Sequence, residues 1–497
     1  MFTEIVLLPL INVIDKSGER NAFCINERFY SYREFAEHIS KIRDSLQLIP
    51  FKNKHIGLVA NDDIETYAAI FAIWMEGLAY IPLHPNTPVE RSMDIIAQAE
   101  ITLVINSISN KIFPELQIIF SSELLFKDFN LTIKTFSEND LAYILFTSGS
   151  TGQPKGVPIT RGNIAAFLQS FWETGLKITS NDRCLQGYEL TFDLSVQSFL
   201  VPLVKGACTY TIPHNQIKYS YLYGLLDDHQ LTVLPMPPSL IRFLRPYFSE
   251  INYPCVRYNL LGAEASPVEL ISEWCKCIPN AEIYNFYGPT EATIYCTYSA
   301  FNKSGETKNL NGLMNIGKAM NGNSSVIIDE QMNILGENMK GELCIAGRQL
   351  TTGYLNNPEK NLLAFFELEY NGNNKRFYRT GDLCYIDSDG DIMYGGRLDY
   401  QVKVQGYRIE LGEIEFHARE YLKGRNAVAV SFENNIQNTE IALFVEDELA
   451  NAKELTAYLK LKIPSYMIPA KIEVQSTFPL NSNGKIDRNI LKKSLTI

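Results

Sequence analysis

The sequence lacks a long hydrophobic run and an excess of basic charge, and each absence excludes a class of protein. No stretch approaches the ~20 consecutive apolar residues that a membrane-spanning helix requires. The 497 residues carry a formal net charge of −11, and such a chain lacks the basic face of a nucleic-acid-binding protein. The short apolar segment from Ile5 to Ile14 follows Glu4 rather than basic residues, so it does not resemble a secretory leader. We therefore predict a cytoplasmic protein that binds neither membranes nor nucleic acid.

A disulfide framework is also missing. The nine cysteines are odd in number and irregularly spaced, which favours reduced thiols in a cytoplasm. Cys275 and Cys277 form a C-x-C pair, but none of the six histidines is spaced to complete a zinc site with them. The sequence therefore predicts no structural metal.

Alternating strand and helix patterns predict the fold class. Residues 55–60 are typical of a strand, residues 64–76 of a helix ended by Gly77, and residues 79–83 of a second strand. A strand–helix–strand unit of this length predicts a parallel, layered α/β sheet. A length of 497 residues is enough for about three domains of ~150 residues.

The most informative stretch is LAYILFTSGSTGQPKG, residues 141–156. An apolar strand is followed by small hydroxyl residues and glycines, which let successive backbone N–H groups turn toward one anion, and then by a lysine, which adds a point charge. Pro154 and Gly156 occupy the positions where a Walker P-loop needs Gly and Ser or Thr. We predict a phosphate-binding loop of a different type, made of Thr147, Ser148, Gly149, Ser150, Thr151, Gly152 and Lys155.

This loop resembles the phosphate-binding signature of the acyl-adenylate-forming enzymes, which include acyl-CoA synthetases, luciferases and the adenylation domains of nonribosomal peptide synthetases. YNFYGPTEAT (284–293), YRTGDL (378–383) and PLNSNGKIDR (479–488) resemble further signatures of the same family. The resemblance implies an α/β fold with a large N-terminal adenylation domain (1–396), a hinge (397–400) and a small mobile α+β C-terminal lid domain (401–497). Within the small domain we expect residues 401–407 to form one exposed strand. Within the large domain we interpret residues 341–354, a strand followed by turns, as structural.

The same resemblance implies a nucleotide site. Tyr287 would stack on adenine, Asp382 would bind the ribose hydroxyls, and Arg397 would contact ribose and phosphate oxygens. Thr290 would offer a hydroxyl to phosphate, and Glu291 would offer Mg²⁺ a hard carboxylate oxygen. These two residues and Lys485, which would reach the active site, form the implied catalytic set. The implied nucleotide-binding set comprises the phosphate loop, Gly262, Ala263, Glu264, Asn285, Tyr287, Gly288, Thr290, Asp382, Arg397 and Lys485.

Asp193 is a lone carboxylate in the apolar segment YELTFDLSVQSF (188–199). It is either a helix N-cap or, as in the peptide-synthetase branch that it resembles, the group that binds a substrate α-ammonium. Phe286 and Tyr295 are bulky and favour a small or flat substrate side chain. The implied amino-acid pocket comprises Asp193, Leu194, Gln197, Met236, Leu260, Gly262, Phe286, Ile294 and Tyr295, with Lys485 at the substrate carboxylate.

The chain looks most like stand-alone amino-acid adenylation enzymes, among them D-alanine–carrier-protein ligases. The resemblance implies ATP- and Mg²⁺-dependent formation of aminoacyl-AMP, then transfer to the phosphopantetheine thiol of a separate carrier protein, because no carrier domain follows Ile497. Asp399 would be the hinge, with Lys403 and Gly406 serving the thioester step. An acyl- or aryl-CoA ligase is the alternative, although it has no need of Asp193, and a non-catalytic binding paralogue would have been expected to lose some of these charged residues.

Overall fold

The structure is a computed structural model that describes residues 1–51, 53–149, 152–213, 216–447, 449–481 and 485–495. Its contacts divide the chain into two compact units. The first unit contains Met1–Pro85, Gln98–Leu145 and Gly156–Leu398, and the second contains Asn86–Ala97, Phe146–Lys155 and Asp399–Ile497. The second unit therefore groups the C-terminal segment with the predicted phosphate loop, whereas the domain limits implied by resemblance stay a prediction.

Among the described residues, the helices are α1 (Leu8–Ser17), α2 (Tyr32–Gln47), α3 (Ile64–Met75), α4 (Val89–Gln98), α5 (Arg161–Glu173), α6 (Asp193–Leu203), α7 (Lys218–His229), α8 (Pro238–Leu244), α9 (Val268–Cys277), α10 (Pro358–Ala364), α11 (Leu411–Tyr421), α12 (Ala452–Lys462) and α13 (Arg488–Lys493). None of them is long and apolar enough to cross a membrane.

The strands of the same residues are β1 (Asn21–Ile25), β2 (Arg28–Ser31), β3 (His55–Val59), β4 (Ala79–Leu83), β5 (Leu103–Asn106), β6 (Gln117–Phe120), β7 (Leu141–Thr147), β8 (Lys155–Thr160), β9 (Arg183–Gln186), β10 (Cys208–Thr211), β11 (Val233–Met236), β12 (Tyr258–Leu261), β13 (Glu282–Tyr287), β14 (Thr297–Ala300), β15 (Asn309–Leu310), β16 (Leu313–Met314), β17 (Lys318–Ala319), β18 (Asn323–Ile328), β19 (Gly341–Gly347), β20 (Phe365–Tyr370), β21 (Asn373–Ile386), β22 (Ile392–Arg397), β23 (Gln401–Val404), β24 (Tyr407–Glu410), β25 (Ala427–Glu433), β26 (Thr439–Glu446) and β27 (Lys471–Gln475).

Two large sheets carry most of these strands. One has the order β17-β14-β13-β12-β11-β9-β10-β1-β2, and its inner strands from β13 to β1 run parallel. The other has the order β6-β5-β3-β4-β7-β8, with β6 to β7 parallel. A smaller antiparallel sheet joins β18, β19, β21, β20 and β22. Parallel strands with intervening helices confirm the predicted α/β class.

The predicted βαβ unit is confirmed at β3, α3 and β4. Helix α3 begins after Asp63, whose side chain accepts a hydrogen bond from the Thr66 amide, and Gly77 adopts a positive φ of 77° beyond its end. Every residue of α3 is buried, as expected for a helix that is apolar on all sides. The neighbouring α2 contributes Arg43, which is fully buried and paired with the equally buried Glu76 at 2.6 Å.

The second unit corrects one sequence prediction. Residues 401–407 do not form a single strand, because β23 and β24 are an antiparallel hairpin that turns at Gln405 and Gly406. Both turn residues have positive φ, 50° and 85°, the geometry of a tight hairpin turn. Strands β25, β26 and β27 form a separate three-stranded sheet in this unit.

Candidate active site

Three neighbouring parallel strands end at one edge of the large sheet. Met236 at the end of β11 pairs with Leu261 of β12, and Leu261 pairs with Asn285 of β13. Gly262, which follows β12, and Tyr287, the last residue of β13, are therefore brought to the same edge. In open α/β sheets this edge is where ligands bind, and it carries most of the predicted pocket.

Asp193 lies at the first position of α6 and is only 6% exposed. Phe192 occupies the N-cap position. Asp193 is therefore not the helix N-cap, which was one of the two roles that the sequence allowed for it. Its Oδ2 atom accepts a hydrogen bond from the Ile294 amide at 3.3 Å. Burial raises the pKa of Asp193 to about 6, although this hydrogen bond acts to lower it. A buried carboxylate in this state favours a cationic partner.

The segment after β13 folds back on itself in a conformation that depends on glycine. A Cβ atom on Gly288 would lie 2.3 Å from the Ile294 carbonyl oxygen, so no larger residue fits there. Thr293 and Ile294 both have positive φ, 54° and 70°, which is costly for β-branched residues. The buried Gln349 holds the segment, because its Nε2 donates to the carbonyls of Thr293 (3.1 Å) and Tyr295 (2.7 Å).

Five residues of the predicted amino-acid pocket lie in the largest hydrophobic core of the described residues. The buried side chains that pack in the same hydrophobic core are Leu194, Leu260, Phe286, Ile294 and Tyr295. The rings of Phe286 and Tyr295 stack with centroids 4.7 Å apart. Gln197 is buried on the same helix as Asp193, whereas Met236 packs in a separate core cluster. Phe286 and Tyr295 therefore contact each other directly, and the substrate-binding roles of the set stay predictions.

Three residues predicted to bind nucleotide contact one another. The Tyr287 hydroxyl donates to Asp382 Oδ2 at 2.5 Å, and Arg397 Nη1 donates to Asp382 Oδ1 at 3.0 Å. Asp382 and Arg397 face each other across β21 and β22, so the sheet register fixes their pairing. A carboxylate held between a phenol and a guanidinium is orientated to accept hydrogen bonds from a diol.

Glu291 has no exposed surface, and its Oε1 accepts a hydrogen bond from the Tyr354 hydroxyl at 2.7 Å. Tyr354 lies in the stretch 341–354 that the sequence predicted to be structural, and no motif indicates its contact with Glu291, so that contact was not predicted. Gln349, in the same stretch, was missed as well. Only the proximity of this stretch to the predicted motifs in the folded chain reveals either role.

The remaining predicted nucleotide residues of the first unit are engaged by the protein itself. Glu264 Oε2 accepts from the Ser239 amide at 2.9 Å. The Asn285 side chain accepts from the Ser266 hydroxyl and donates to a backbone carbonyl, at 2.9 and 2.8 Å. Ala263 has a positive φ of 68°. These contacts give the loop a defined shape beside the strand ends.

The phosphate loop, residues 147–155, lies in the second unit, and its donors contact carboxylates there. The Gly149 amide donates to Glu413 Oε2 at 3.0 Å, and Lys155 Nζ lies 3.4 Å from Glu410 Oε1. Glu413 also pairs with the buried Arg91. Each donor is thus paired with a different carboxylate, and an amide and an ammonium are groups of the kind that bind anions.

Two further features of the loop fit a phosphate-binding role. The Ser148 hydroxyl donates to the Arg408 carbonyl at 3.0 Å, so that hydroxyl is oriented by the second unit. The buried Thr147 hydroxyl has no hydrogen-bond partner within the residues that the structure describes. Ser150 and Thr151, also predicted here, lie outside the described residues. Gly152 adopts a φ of 80°, and a Cβ there would meet the Phe416 ring at 2.3 Å.

The predicted hinge and thioester residues belong to the second unit. Asp399 is exposed, and its side chain accepts from the Gln401 amide at 3.1 Å. Lys403 is on β23, and Gly406 is in the hairpin turn. Lys485 is exposed, and its amide donates to Asn481 Oδ1 at 3.0 Å. Their roles stay predictions.

An acidic trio, Asp387, Asp389 and Asp391, has a geometry in which a cation would fit. The Lys308 ammonium already donates to each of the three carboxylates at 2.6–2.9 Å. Lysine therefore supplies the positive charge that these groups require.

Comparison with known proteins agrees with this geometry. The family model described as AMP-binding enzyme matches residues 12–355. The chain belongs to the AMP-binding enzyme family. This assignment confirms the resemblance to the acyl-adenylate-forming enzymes. The matched region of the chain includes the phosphate loop and Asp193.

Relatives of this AMP-binding enzyme are adenylation proteins. It is 30% identical to the D-alanine–D-alanyl carrier protein ligase of Lactococcus lactis, over 98% of each chain. It is also 30% identical to tyrocidine synthase 2 of Brevibacillus parabrevis, with 96% of this chain but 13% of that protein covered. The chain thus spans only about a tenth of the length of the first synthetases it matches, from 7% to 13%.

A solved structure shows the same fold. The Vibrio cholerae adenylation domain AlmE, solved in complex with glycyl-adenosine-5′-phosphate, matches with a TM-score of 0.86 over 98% of this chain and 97% of that one. At 23% identity this likeness concerns the fold alone. It confirms the predicted adenylation-domain fold, in which a large N-terminal domain is followed by a smaller C-terminal one.

Proposed function

We propose that this AMP-binding enzyme activates an amino acid as aminoacyl-AMP and then transfers it to the phosphopantetheine thiol of a separate carrier protein. The observation that carries the proposal is Asp193, a buried carboxylate at the strand-end pocket that favours a cation. An α-ammonium group supplies that cation, whereas a simple acyl or aryl acid does not. The relatives named for carrier-protein ligation and the glycyl adenylate bound to AlmE support the same class of substrate.

In the first half-reaction, a carboxylate oxygen of the amino acid attacks the α-phosphorus of ATP. The new O–P bond forms as the bond to the β-phosphate oxygen breaks, and pyrophosphate leaves. The carboxylate is already a nucleophile, so the protein mainly aligns the reactants and stabilises charge. Asp193 binds the ammonium, the Tyr287–Asp382–Arg397 group binds the nucleoside, and the phosphate loop and Lys485 bind the phosphates and the substrate carboxylate.

The donor set at Glu291 fits Mg²⁺. Mg²⁺ in nucleotide sites takes one or two carboxylate oxygens together with substrate phosphates. Glu291 presents a carboxylate whose orientation is fixed by the Tyr354 hydroxyl, and it would hold the ion. When bound, Mg²⁺ would neutralise charge on the phosphates, to which Thr290 would offer a hydroxyl.

In the second half-reaction, the carrier thiolate attacks the acyl carbon of the mixed anhydride. A thioester bond forms, the bond from the acyl carbon to the phosphate oxygen breaks, and AMP leaves. Lys403 and Gly406 lie on the β23–β24 hairpin that we assign to this step. An enzyme with a net charge of −11 must recognise an acidic carrier through a local patch rather than through its overall field.

Pyrophosphate exchange and transfer assays test the proposal. Exchange into ATP should depend on an amino acid, and labelled amino acid should then load a phosphopantetheinylated carrier but not free CoA. Exchange that depends on fatty or aryl acids, with transfer to CoA, would instead establish the CoA-ligase alternative. Absence of exchange with every acid would favour a binding paralogue.

A further inference from the structure

The inference concerns Tyr295, whose ring fills the space beside Gly262. A Cβ atom built on Gly262 would lie 3.1 Å from both the Cε1 and hydroxyl oxygen of Tyr295, closer than ordinary van der Waals contact. Phe286 stacks on the same ring at 4.7 Å and 25°. The ring is 1% exposed. Packed between backbone on one side and an aromatic ring on the other, Tyr295 has little freedom to move away.

Tyr295 directly follows Ile294, whose amide donates to the Asp193 carboxylate at 3.3 Å. Burial and the nearby Asp193 charge both raise the pKa of the Tyr295 hydroxyl, so the phenol lies within electrostatic reach of that carboxylate. Its oxygen has no hydrogen-bond partner in the described ranges of the chain. A buried hydroxyl without a partner is uncommon in native proteins and calls for an explanation, such as a missing ligand or water.

A substrate ammonium meets that requirement. An ammonium group has three N–H donors, and Asp193 does not use them all. A second N–H can be donated to the Tyr295 oxygen, which satisfies the hydroxyl only when substrate is bound. In the pocket that we propose, the rest of the ring then occupies volume beside the ammonium, and the neighbouring pocket residues Leu260 and Ile294 are themselves buried, at 0% and 1% exposed.

We infer that the amino acid is glycine, and that Tyr295 selects it by filling the side-chain space and accepting a hydrogen bond from the substrate ammonium. The inference rests on the proposed amino-acid activation and gives its substrate. A methyl group of either configuration, as in L- or D-alanine, would have to displace a ring that is held by Phe286. Packing of that kind discriminates a single methyl group by at least about tenfold.

The test compares kcat/KM for glycine, L-alanine, D-alanine and L-serine in amino-acid-dependent pyrophosphate exchange. The wild-type protein should prefer glycine by at least about tenfold. Tyr295→Phe keeps the ring and loses the hydroxyl, so it should raise the KM for glycine about threefold to tenfold and still reject alanine. Tyr295→Ala should open the pocket and reverse the preference toward alanine or a larger side chain.

A matched control is Tyr298→Ala, because Tyr298 also stacks on Phe286, at 5.7 Å, but is not among the atoms nearest Gly262. It should keep the glycine preference. A second measurement uses only the wild-type protein, so it does not depend on the folding of any variant. Calorimetry compares the binding of non-hydrolysable glycyl-sulfamoyl adenosine with that of alanyl-sulfamoyl adenosine. Tighter binding of the glycyl compound supports the inference.

A wild-type preference for a larger amino acid, or an unchanged preference in folded Tyr295→Ala, would overturn the glycine assignment while leaving amino-acid activation intact. Exchange with no amino acid at all would overturn the proposed function, and the glycine assignment with it.

Discussion

At the scale of single residues, Asp193 links local structure to substrate choice. Its position at the start of α6 places the carboxylate inside the protein, where it accepts hydrogen bonds from the Ile294 amide at 3.3 Å, the Leu194 amide and the Thr290 hydroxyl. Burial without a strong cation raises its pKa to about 6. An arriving ammonium supplies the missing charge, and a charged hydrogen bond of this type contributes about 1.5–3 kcal/mol.

The raised pKa of Asp193 predicts an acid limb in the pH profile. Below about pH 6 the free enzyme holds the carboxyl protonated, and the ammonium binds the ionised form. The kcat/KM for the amino acid should therefore be maximal above pH 6 and fall about tenfold per pH unit below it. Asp193→Asn should lower kcat/KM about tenfold to a hundredfold at pH 8, measured by pyrophosphate exchange.

The exposed Asp389→Asn variant serves as the control and should leave the pH profile unchanged. Two results would show that Asp193 does not bind the ammonium. One is a wild-type kcat/KM that falls only near pH 4, and the other is an amino-acid KM that is unchanged in Asp193→Asn.

Single residues also show what the sequence can predict about a site. Tyr287, Asp382 and Arg397 stand in specific motifs, and the structure brings their side chains together. Gln349 and Tyr354 carry no such signal, because a glutamine or tyrosine gains its role from the partner that the fold places beside it. The Gln349 amide bonds carbonyls more than 50 residues away in the chain, which no local pattern encodes.

At the scale of elements, carboxylates at the end of β24 and in α11 occupy the donors of the phosphate loop that ATP would need. Glu413, in the first turn of α11, accepts from the Gly149 amide, and Glu410 lies beside Lys155. In the proposed reaction, ATP phosphates use these same groups. When these carboxylates occupy the loop donors, a smaller fraction of the protein molecules can bind ATP. The apparent Kd for ATP therefore rises in proportion.

This competition predicts that Glu410→Gln tightens ATP binding. Removing the charge weakens the contact with Lys155, so more of the protein is free to bind ATP, and the apparent Kd should fall about twofold to tenfold. Glu413→Gln should act in the same direction, with a lower urea midpoint because the buried Arg91 loses its charged partner. Isothermal calorimetry with ATP measures the first effect.

Glu420→Gln, an exposed change on the same helix, is the control and should alter neither quantity. Weaker ATP binding in Glu410→Gln would mean that the carboxylate supports the ATP-bound form, and the competition would have to be abandoned.

Elements differ in how well the sequence predicts them. Helix α2 begins at a Ser31–Glu34 capping box, and α3 ends before a glycine, so both boundaries have local chemical signals. The β23–β24 hairpin was missed because its turn is Gln405-Gly406 rather than the Asn-Gly or Asp-Gly pair that marks such turns. Alternation alone made seven residues look like one strand, although the backbone reverses within them.

At the scale of the whole molecule, the two half-reactions place different demands on the second unit. Lys485 and Gly406 belong to that unit but lie on different elements, Gly406 in a hairpin turn and Lys485 near the start of α13. Adenylation needs a positive charge at the phosphates and the substrate carboxylate, whereas thioester formation needs a path for the carrier thiol. Segments that serve successive steps in this way are commonly moved by a few hinge residues, here predicted around Asp399.

Separate assays of the half-reactions should distinguish the two residues. Lys485→Ala should lower adenylate formation about a hundredfold or more, since it removes one preorganised charge, yet still transfer chemically supplied aminoacyl-AMP to the carrier. Gly406→Leu should do the reverse, because a side chain at that turn obstructs the thiol. Gly424→Leu controls for backbone strain, since Gly424 also has a positive φ, 90°, with nothing within 4 Å of an added Cβ, and it should retain both activities. If Lys485→Ala and Gly406→Leu damaged both steps equally while Gly424→Leu did not, one fixed arrangement would serve both reactions and the hinge at Asp399 would have no catalytic role.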